Sequence, residues 1–292
     1  MDSSTAPPPA KSPPTSRVMD VLAALSDSAD GQTSAELAKR CGISTSTCAL
    51  VLAELQRRSW VTRRDDRRYT LGSGLFGLVH GLRKQFPLLD RGREVLGLLH
   101  TTLGAGCSMS KIGRTHLTTV DAVGHGTDGE HAVGQRFPIG PPFGLVAMAW
   151  RDEETTADWL RRVSPRLTDA DIATHRLVLA EIRGRGYGAW RFDAAHTSLH
   201  DRLAAVLASL EPTAQVTREL NTLMTIVTLQ SVTGSLEKDL PSTEFVVLPI
   251  FGRDSQPEYQ IEIHLGGRSA LALPDLDDAL RHAQALLRPG VA

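Results

Sequence analysis

The stretch CGISTSTCALVLAELQRRSWV, residues 41–61, decides how the front of this 292-residue chain is read. Within it Cys48, Val51, Leu52 and Leu55 fall at i, i+3, i+4 and i+7, the spacing that lays one apolar stripe along an α-helix. At about 100° per residue, Ser46, Leu50, Ala53 and Arg57 lie within about 40° of the opposite face. Ser44 is placed to cap this helix. Its first half carries hydroxyls and methyls, without Lys, Arg, Asn or Gln.

Working outward, the flanks supply the rest of a small domain. Val18, Val21, Leu22 and Leu25 repeat the helical spacing upstream. Thr33 and Glu36 then form a T-x-x-E capping box ahead of Leu37, Ala38 and Cys41, and Gly42 suits the left-handed residue that ends a helix. Downstream, WVTRRDDRRYTLG reads as two short strands about an Asp65-Asp66 turn, with Arg63, Arg64, Arg67 and Arg68 around the tip. Three helices followed by a basic hairpin describe a winged helix-turn-helix over residues 16–72.

Residues 1–15, MDSSTAPPPAKSPPT, hold five prolines and almost nothing to bury, so they read as a disordered tail. Residues 73–92 read as a helical connector interrupted by Pro87. From 93 to 292 the pattern becomes mixed α/β. VLGLLHTTLG is a helix, CSMSKIG and HLTTVDAVG are strands, and GLVAMAWRDEETTADWL is one helix. LTDADIATHRLVLAEIRGRG is a helix capped by Thr168. EFVVLPIFG and EYQIEIHLGG form an antiparallel pair, and PDLDDALRHAQALL closes the chain as a helix opened by Pro274. The fold class is therefore α+β and multidomain.

Charge divides along the same line. Residues 1–94 carry 14 Lys and Arg against 10 Asp and Glu, while the remainder carries 18 against 23. A net +4 beside a net -5 has the sign expected of a nucleic-acid-facing module joined to an acidic body. Cys41, Cys48 and Cys107 form no CxxC pair, which speaks against a disulfide framework or structural zinc. No apolar run reaches the ~18 residues of a membrane span, and no signal-peptide core opens the chain. A cytoplasmic protein is expected.

The segments SRVMDVLAALSD, TSAELAKRCGIS, TSTCALVLAELQRRSWV and RRYTLG resemble, in that order, the N-terminal domain of the IclR-type bacterial transcriptional regulators. GQRFPIGPPFGLVAMAW resembles the segment entering a helix beside that family's effector pocket, and LVLAEIRGRGYG the helix and strand that follow. The resemblance implies a C-terminal GAF-like α/β effector-binding domain for residues 93–292. It also implies dimers or dimers of dimers on double-stranded DNA, and a small organic effector, apolar or an aromatic acid. The chain departs from the family beyond Tyr187, where residues 192–243 read as an insertion with the helices LHDRLAAVLASL and VTRELNTLMTIVTLQ. AWRFDAAH replaces an acidic pair common in the family.

The candidate DNA contacts are Thr33, Ser44, Thr45, Ser46, Thr47, Ala49, Leu50, Arg57 and the four hairpin arginines. Hydroxyls can meet phosphates or base edges, and the Ala49 and Leu50 methyls can meet thymine methyls. Arginine forks suit phosphates or the minor groove. Effector candidates are Met109, Val120 and Ala122 on the strands, Trp190, and Gly140, Phe143, Gly144 and Leu145, where backbone N–H groups at a helix start could hold a carboxylate.

Two rivals are weighed. One is a degenerate regulator that senses no small molecule and acts through oligomerisation or a protein partner. The other is a hydrolase-like or metal-dependent enzyme using His196, His200 or Cys107. The i, i+4 histidines lack completing ligands in the sequence. GAGCSMSK lacks P-loop spacing, and no G-x-S-x-G elbow occurs. Nothing calls for a cofactor or a catalytic residue.

Overall fold

The computed structural model describes residues 12–124, 133–139, 144–163, 169–191, 240–266 and 271–288. It divides into two units, Met1–Pro87 and Leu88–Ala292. In the first, helix α1 (Pro13–Ser26) buries Val21, Ala24 and Leu25. It begins three residues before Ser16, inside the stretch read as tail. Proline is tolerated in a first helical turn because its missing N–H has no partner there to lose. The rest of the tail, residues 1–11, lies outside the described residues.

Helix α2 (Ser34–Arg40) starts at the capping box. The Glu36 N–H donates to Thr33 Oγ1 at 3.3 Å, and Glu36 Oε2 accepts from the Thr33 N–H at 2.7 Å. At its other end Gly42 has φ +62°. The Ile43 N–H reaches the Ala38 carbonyl and the Gly42 N–H that of Lys39. This is a Schellman closure, which turns the chain sharply into α3 (Thr45–Arg57). The closure repeats after α3 with Ser59 (φ +57°) in the left-handed place: Trp60 donates to Leu55 and Ser59 to Gln56. Cys48, Leu52 and Leu55 face the core shared with Val21, Leu25, Leu37 and Val61, and Val51 packs partly buried against it.

Strands β1 (Val61–Arg63) and β2 (Tyr69–Leu71) make the hairpin, with Val61 opposite Leu71 and Arg63 opposite Tyr69. Gln32 exchanges both backbone hydrogen bonds with Tyr69, so the hairpin is sewn to the entrance of α2. Gly72 and Gly74 pass against the Ser59 and Arg58 carbonyls, so closely that a Cβ at either position would strike backbone. Helix α4 (Phe76–Gln85) completes this unit and buries none of its residues.

The second unit begins with α5 (Leu88–Leu103), seven residues earlier than the helix VLGLLHTTLG. Residues 88–92, read as connector, are thus the first turn of a core helix. Leu88 and Leu89 pack on the core, and Gly92 lies against the Met109 thioether. The sheet is six-stranded and antiparallel, in the order β5-β4-β3-β8-β7-β6. Its strands are β3 (Gly106–Ile112), β4 (His116–Val123), β5 (Arg136–Pro138), β6 (Gly188–Trp190), β7 (Phe245–Phe251) and β8 (Pro257–His264). Strand β5 escaped the sequence reading because three residues ending in proline carry too little periodicity.

Helices α5 and the C-terminal α9 (Leu273–Leu286) cover one face, over Met109, Val246, Leu248, Ile261 and Ile263. On the other face lie α6 (Leu145–Met148), α7 (Glu153–Val163) and α8 (Asp169–Arg185), which share a core with Trp190, Phe245 and Val247. The single helix expected over 144–160 is two helices. Asp152 breaks it by capping α7: its carboxylate accepts from the Thr155 N–H at 2.7 Å and from Thr155 Oγ1 at 2.8 Å. The Thr168 cap and the helices expected within 192–239 lie outside the described residues.

Candidate nucleic-acid interface and sensing floor

The start of α3 presents Thr45, Ser46, Ala49 and Leu50 to solvent, and Leu50 is 74% exposed. A leucine so exposed at the start of a helix whose other face is fully packed has no role in this unit's core. Ser44 Oγ accepts from the Thr47 N–H at 3.1 Å and shares protons with Ser46 Oγ (3.0 Å) and Thr47 Oγ1 (2.8 Å). The hydroxyls of Ser44, Ser46 and Thr47 therefore form one linked cluster at the helix N-terminus, where free N–H groups favour an anion. Thr33 sits at the start of α2 with its hydroxyl engaged by Glu36.

The arginines divide by what holds them. Arg57 is clamped by Glu54. Arg68 donates to the Gly31 carbonyl at 2.9 Å and pairs with Glu36 at 3.3 Å. Arg64 reaches the Asp30 carbonyl and Asp66, each at 3.3 Å, and the Arg63 guanidinium lies 5.9 Å from the Tyr69 ring centre. Arg67 occupies the left-handed position at the tip (φ +65°), its N–H closing a turn onto the Arg64 carbonyl. It makes no ion pair among the described residues.

In the second unit, strand register sorts the effector candidates. Directly opposed residues of an antiparallel pair share a face. Met109 pairs with Asp121 and Ile261 on the face under α5 and α9, and Val120, at the β-bulge beside Met109/Ser110, packs into the same core. These two stand apart from the other face. Ala122 does belong to it, opposite Ser108. So does Trp190, stacked on Phe245 with ring centres 5.1 Å apart. Gly144 (φ +92°) precedes α6, and Leu145 is buried in the apolar cluster. Gly140 and Phe143 lie outside the described residues. A four-residue helix aligns too few peptides to offer the dipole that the carboxylate reading of its start requires.

That second face holds a polar floor which the motif search missed. One row runs Thr119, Ser110, Gln260 across β4, β3 and β8; the next runs Ala122, Ser108, Glu262. His264 follows beside Phe245, its Nε2 lying 3.1 Å from Glu262 Oε1. Ser108, Ser110, Thr119 and Gln260 are all buried, and among the described residues Gln260 Oε1 has no hydrogen-bond partner. The signal was present as alternation in EYQIEIH, where Tyr259, Ile261 and Ile263 fill the core and the intervening polar residues face the other way. An open groove of about 580 Å³ beside Leu98, Leu103, Leu271 and His282 belongs to α5 and α9, away from this floor.

Residues 13–68 match the MarR family model. No curated protein matches the chain. Solved structures match over nearly the full length. An IclR transcriptional regulator of Alicyclobacillus acidocaldarius is 21% identical, covering 95% of this chain and 98% of its own, with a TM-score of 0.51. The Thermotoga maritima IclR is 14% identical over 94% and 96%, with a TM-score of 0.56. The chain has the IclR fold. An IclR homolog of Microbacterium hydrocarbonoxydans, solved with 4-hydroxybenzoate, is 17% identical over 94% and 97%, with a TM-score of 0.53. In IclR-fold terms the present chain pairs a winged helix-turn-helix with a mixed α/β unit, as its sequence resemblance implied.

The catalytic candidates gain no support. Burial pushes the Cys107 thiol up to about 12, so it stays protonated. His196 and His200 lie outside the described residues. Among the described residues no His, Cys, Asp and Glu cluster could hold a metal, and no helix is long and apolar enough to cross a membrane.

Proposed function

We propose that this chain is a cytoplasmic, ligand-responsive transcriptional regulator that binds a two-fold-symmetric DNA operator as a dimer or dimer of dimers. The observation that carries the reading is the start of α3, with exposed hydroxyls and the bare Leu50 side chain, in one unit with an arginine-bearing wing. The IclR fold of the whole chain supports the same assignment. Thr45, Ser46, Thr47, Ala49 and Leu50 read the major groove, while Arg63, Arg64 and Arg67 meet the backbone. Self-association is supported by α4, where Phe76, Val79 and Leu82 lie exposed on a helix that buries nothing. The polar floor binds a small organic effector. Its occupancy changes the dimer arrangement, hence the spacing of the two reading helices and the operator affinity.

The test is selection of bound sequences from random DNA with the full chain. An enriched motif with two inverted half-sites is expected, and an output no more ordered than the starting pool would overturn the reading. Phe76→Ser with Leu82→Ser should shift the mass in solution toward monomer and weaken operator binding together.

A further inference from the structure

Beside the turn that joins β3 to β4 lies a cavity of about 400 Å³, a volume that holds a small organic molecule. It shares no residue with the polar floor. Ile139, Met148 and Trp159 give it an apolar lining, and charged groups of both signs stand at its rim. Arg114 comes from the strand turn. Glu154 comes from the first turn of α7, and Asp158, one turn on, adds a second carboxylate to that side. Arg114 and Glu154 are both exposed, and among the described residues neither is in an ion pair. Trp159 is 7% exposed, and its indole Nε1 is buried with no hydrogen-bond partner among the described residues.

Both elements that carry the rim charges are fastened in place. The Gly113 N–H closes the strand turn on the His116 carbonyl at 2.9 Å, and the Ile139 N–H ties it to β5 through the Thr115 carbonyl at 2.8 Å. Asp152 holds the start of α7 by engaging the Thr155 N–H and hydroxyl. A ligand bearing only a carboxylate would meet repulsion from Glu154, and one bearing only an ammonium would meet it from Arg114. A molecule with both charges gives each side chain its opposite. Its carboxylate also offers an acceptor to the Trp159 N–H, which as a buried donor gains most from one. We propose that this cavity binds an α-amino acid with an apolar side chain. The carboxylate lies toward Arg114 and the Trp159 N–H, the ammonium toward Glu154, and the side chain against Ile139 and Met148.

The experiment titrates the full chain by calorimetry with L-leucine and with the two molecules left when one charged group is removed from it, 4-methylpentanoate and 3-methylbutylamine. L-Leucine is expected to bind tighter than either by about tenfold or more. Glu154→Gln should bring L-leucine down to the level of 4-methylpentanoate, and Arg114→Gln to that of 3-methylbutylamine, with melting temperatures checked first. In the indole N–H region of the NMR spectrum, the Trp159 signal, assigned with Trp159→Phe, should move downfield as L-leucine binds. A single-charge probe binding as tightly as L-leucine, an unmoved indole signal, or unchanged affinity in both variants would overturn the proposal. So would the absence of binding by both L-leucine and L-phenylalanine at millimolar concentration. Each of these failures leaves the DNA-binding reading and the polar floor untouched.

Discussion

Glu54 grips Arg57 through two hydrogen bonds, 2.8 Å from Nε and 2.7 Å from Nη2, and takes Arg58 Nε at 2.8 Å as well. One carboxylate thus occupies the two arginines at the end of the proposed reading helix. Replacing it, as in Glu54→Gln, should release both toward phosphate. Non-specific DNA binding is expected to strengthen, and the slope of log K against log salt to steepen by about 0.9 for each new contact. A slope equal to wild type would show that the clamp withholds nothing.

The same clamp fixes an acid titration. Hydrogen bonds from Arg57 and then Arg58 hold the Glu54 carboxyl down at about 2, from an ordinary value of 4.5. A depressed carboxyl contributes its stabilisation above the ordinary value and loses it as pH falls through the folded one. The helix end should therefore hold through pH 4 and fray only toward pH 2. Carboxyl NMR should find the Glu54 midpoint near 2 and Arg57→Ala should raise it; a wild-type midpoint above 4 would contradict the geometry.

Leu50 is 74% exposed, so Leu50→Ala should leave stability within about 0.5 kcal/mol of wild type. Operator binding should weaken by about 1–2 kcal/mol if its methyls are buried against thymine, at about 0.8 kcal/mol for each methylene-sized group covered. A binding titration on the selected site decides it. Unchanged affinity and unchanged sequence preference would remove Leu50 from the interface.

The wing arginines should separate by variant. Arg67→Ala is expected to weaken binding on every sequence and lower the salt slope by about 0.9, with the fold untouched. Arg68 ties the wing to Gly31 and Glu36, so Arg68→Ala should lower the melting temperature of the first unit as well. Matching melting curves for the two variants would reject the distinction.

Ser59 holds a left-handed conformation at the end of α3. Ser59→Gly should stabilise the first unit by about 1 kcal/mol, since glycine meets no Cβ penalty there. Denaturant unfolding measures this directly, and a loss of stability would mean that the serine side chain contributes more than its backbone costs.

How much of this could be read beforehand depended on period. The winged unit was legible nearly residue by residue, because Cys48, Leu52 and Leu55, the Thr33–Glu36 box and Gly42 are local signals with local causes. The second unit was less so. Met109 and Val120, named with Ala122 as effector candidates, lie on the sheet face under α5, because the bulge beside Met109 carries Val120 to the same side. A bulge reverses the alternation of every residue beyond it, and one strand read alone gives no sign of it. The break at Asp152 was similarly hidden, since LVAMAWRDEETTADWL suits a helix throughout and only a side-chain cap divides it. The polar floor needed three strands aligned before Ser110, Thr119 and Gln260 became neighbours.

Trp190 gives the protein an internal optical gauge. Its indole is buried against Phe245, one register position from His264, so emission from that ring will respond to whatever enters the floor. Trp60, by contrast, belongs to the winged unit. With Trp150 and Trp159 changed to Phe, one unlabelled sample would carry one lamp in each unit, so that filling the floor and engaging DNA could be timed against each other.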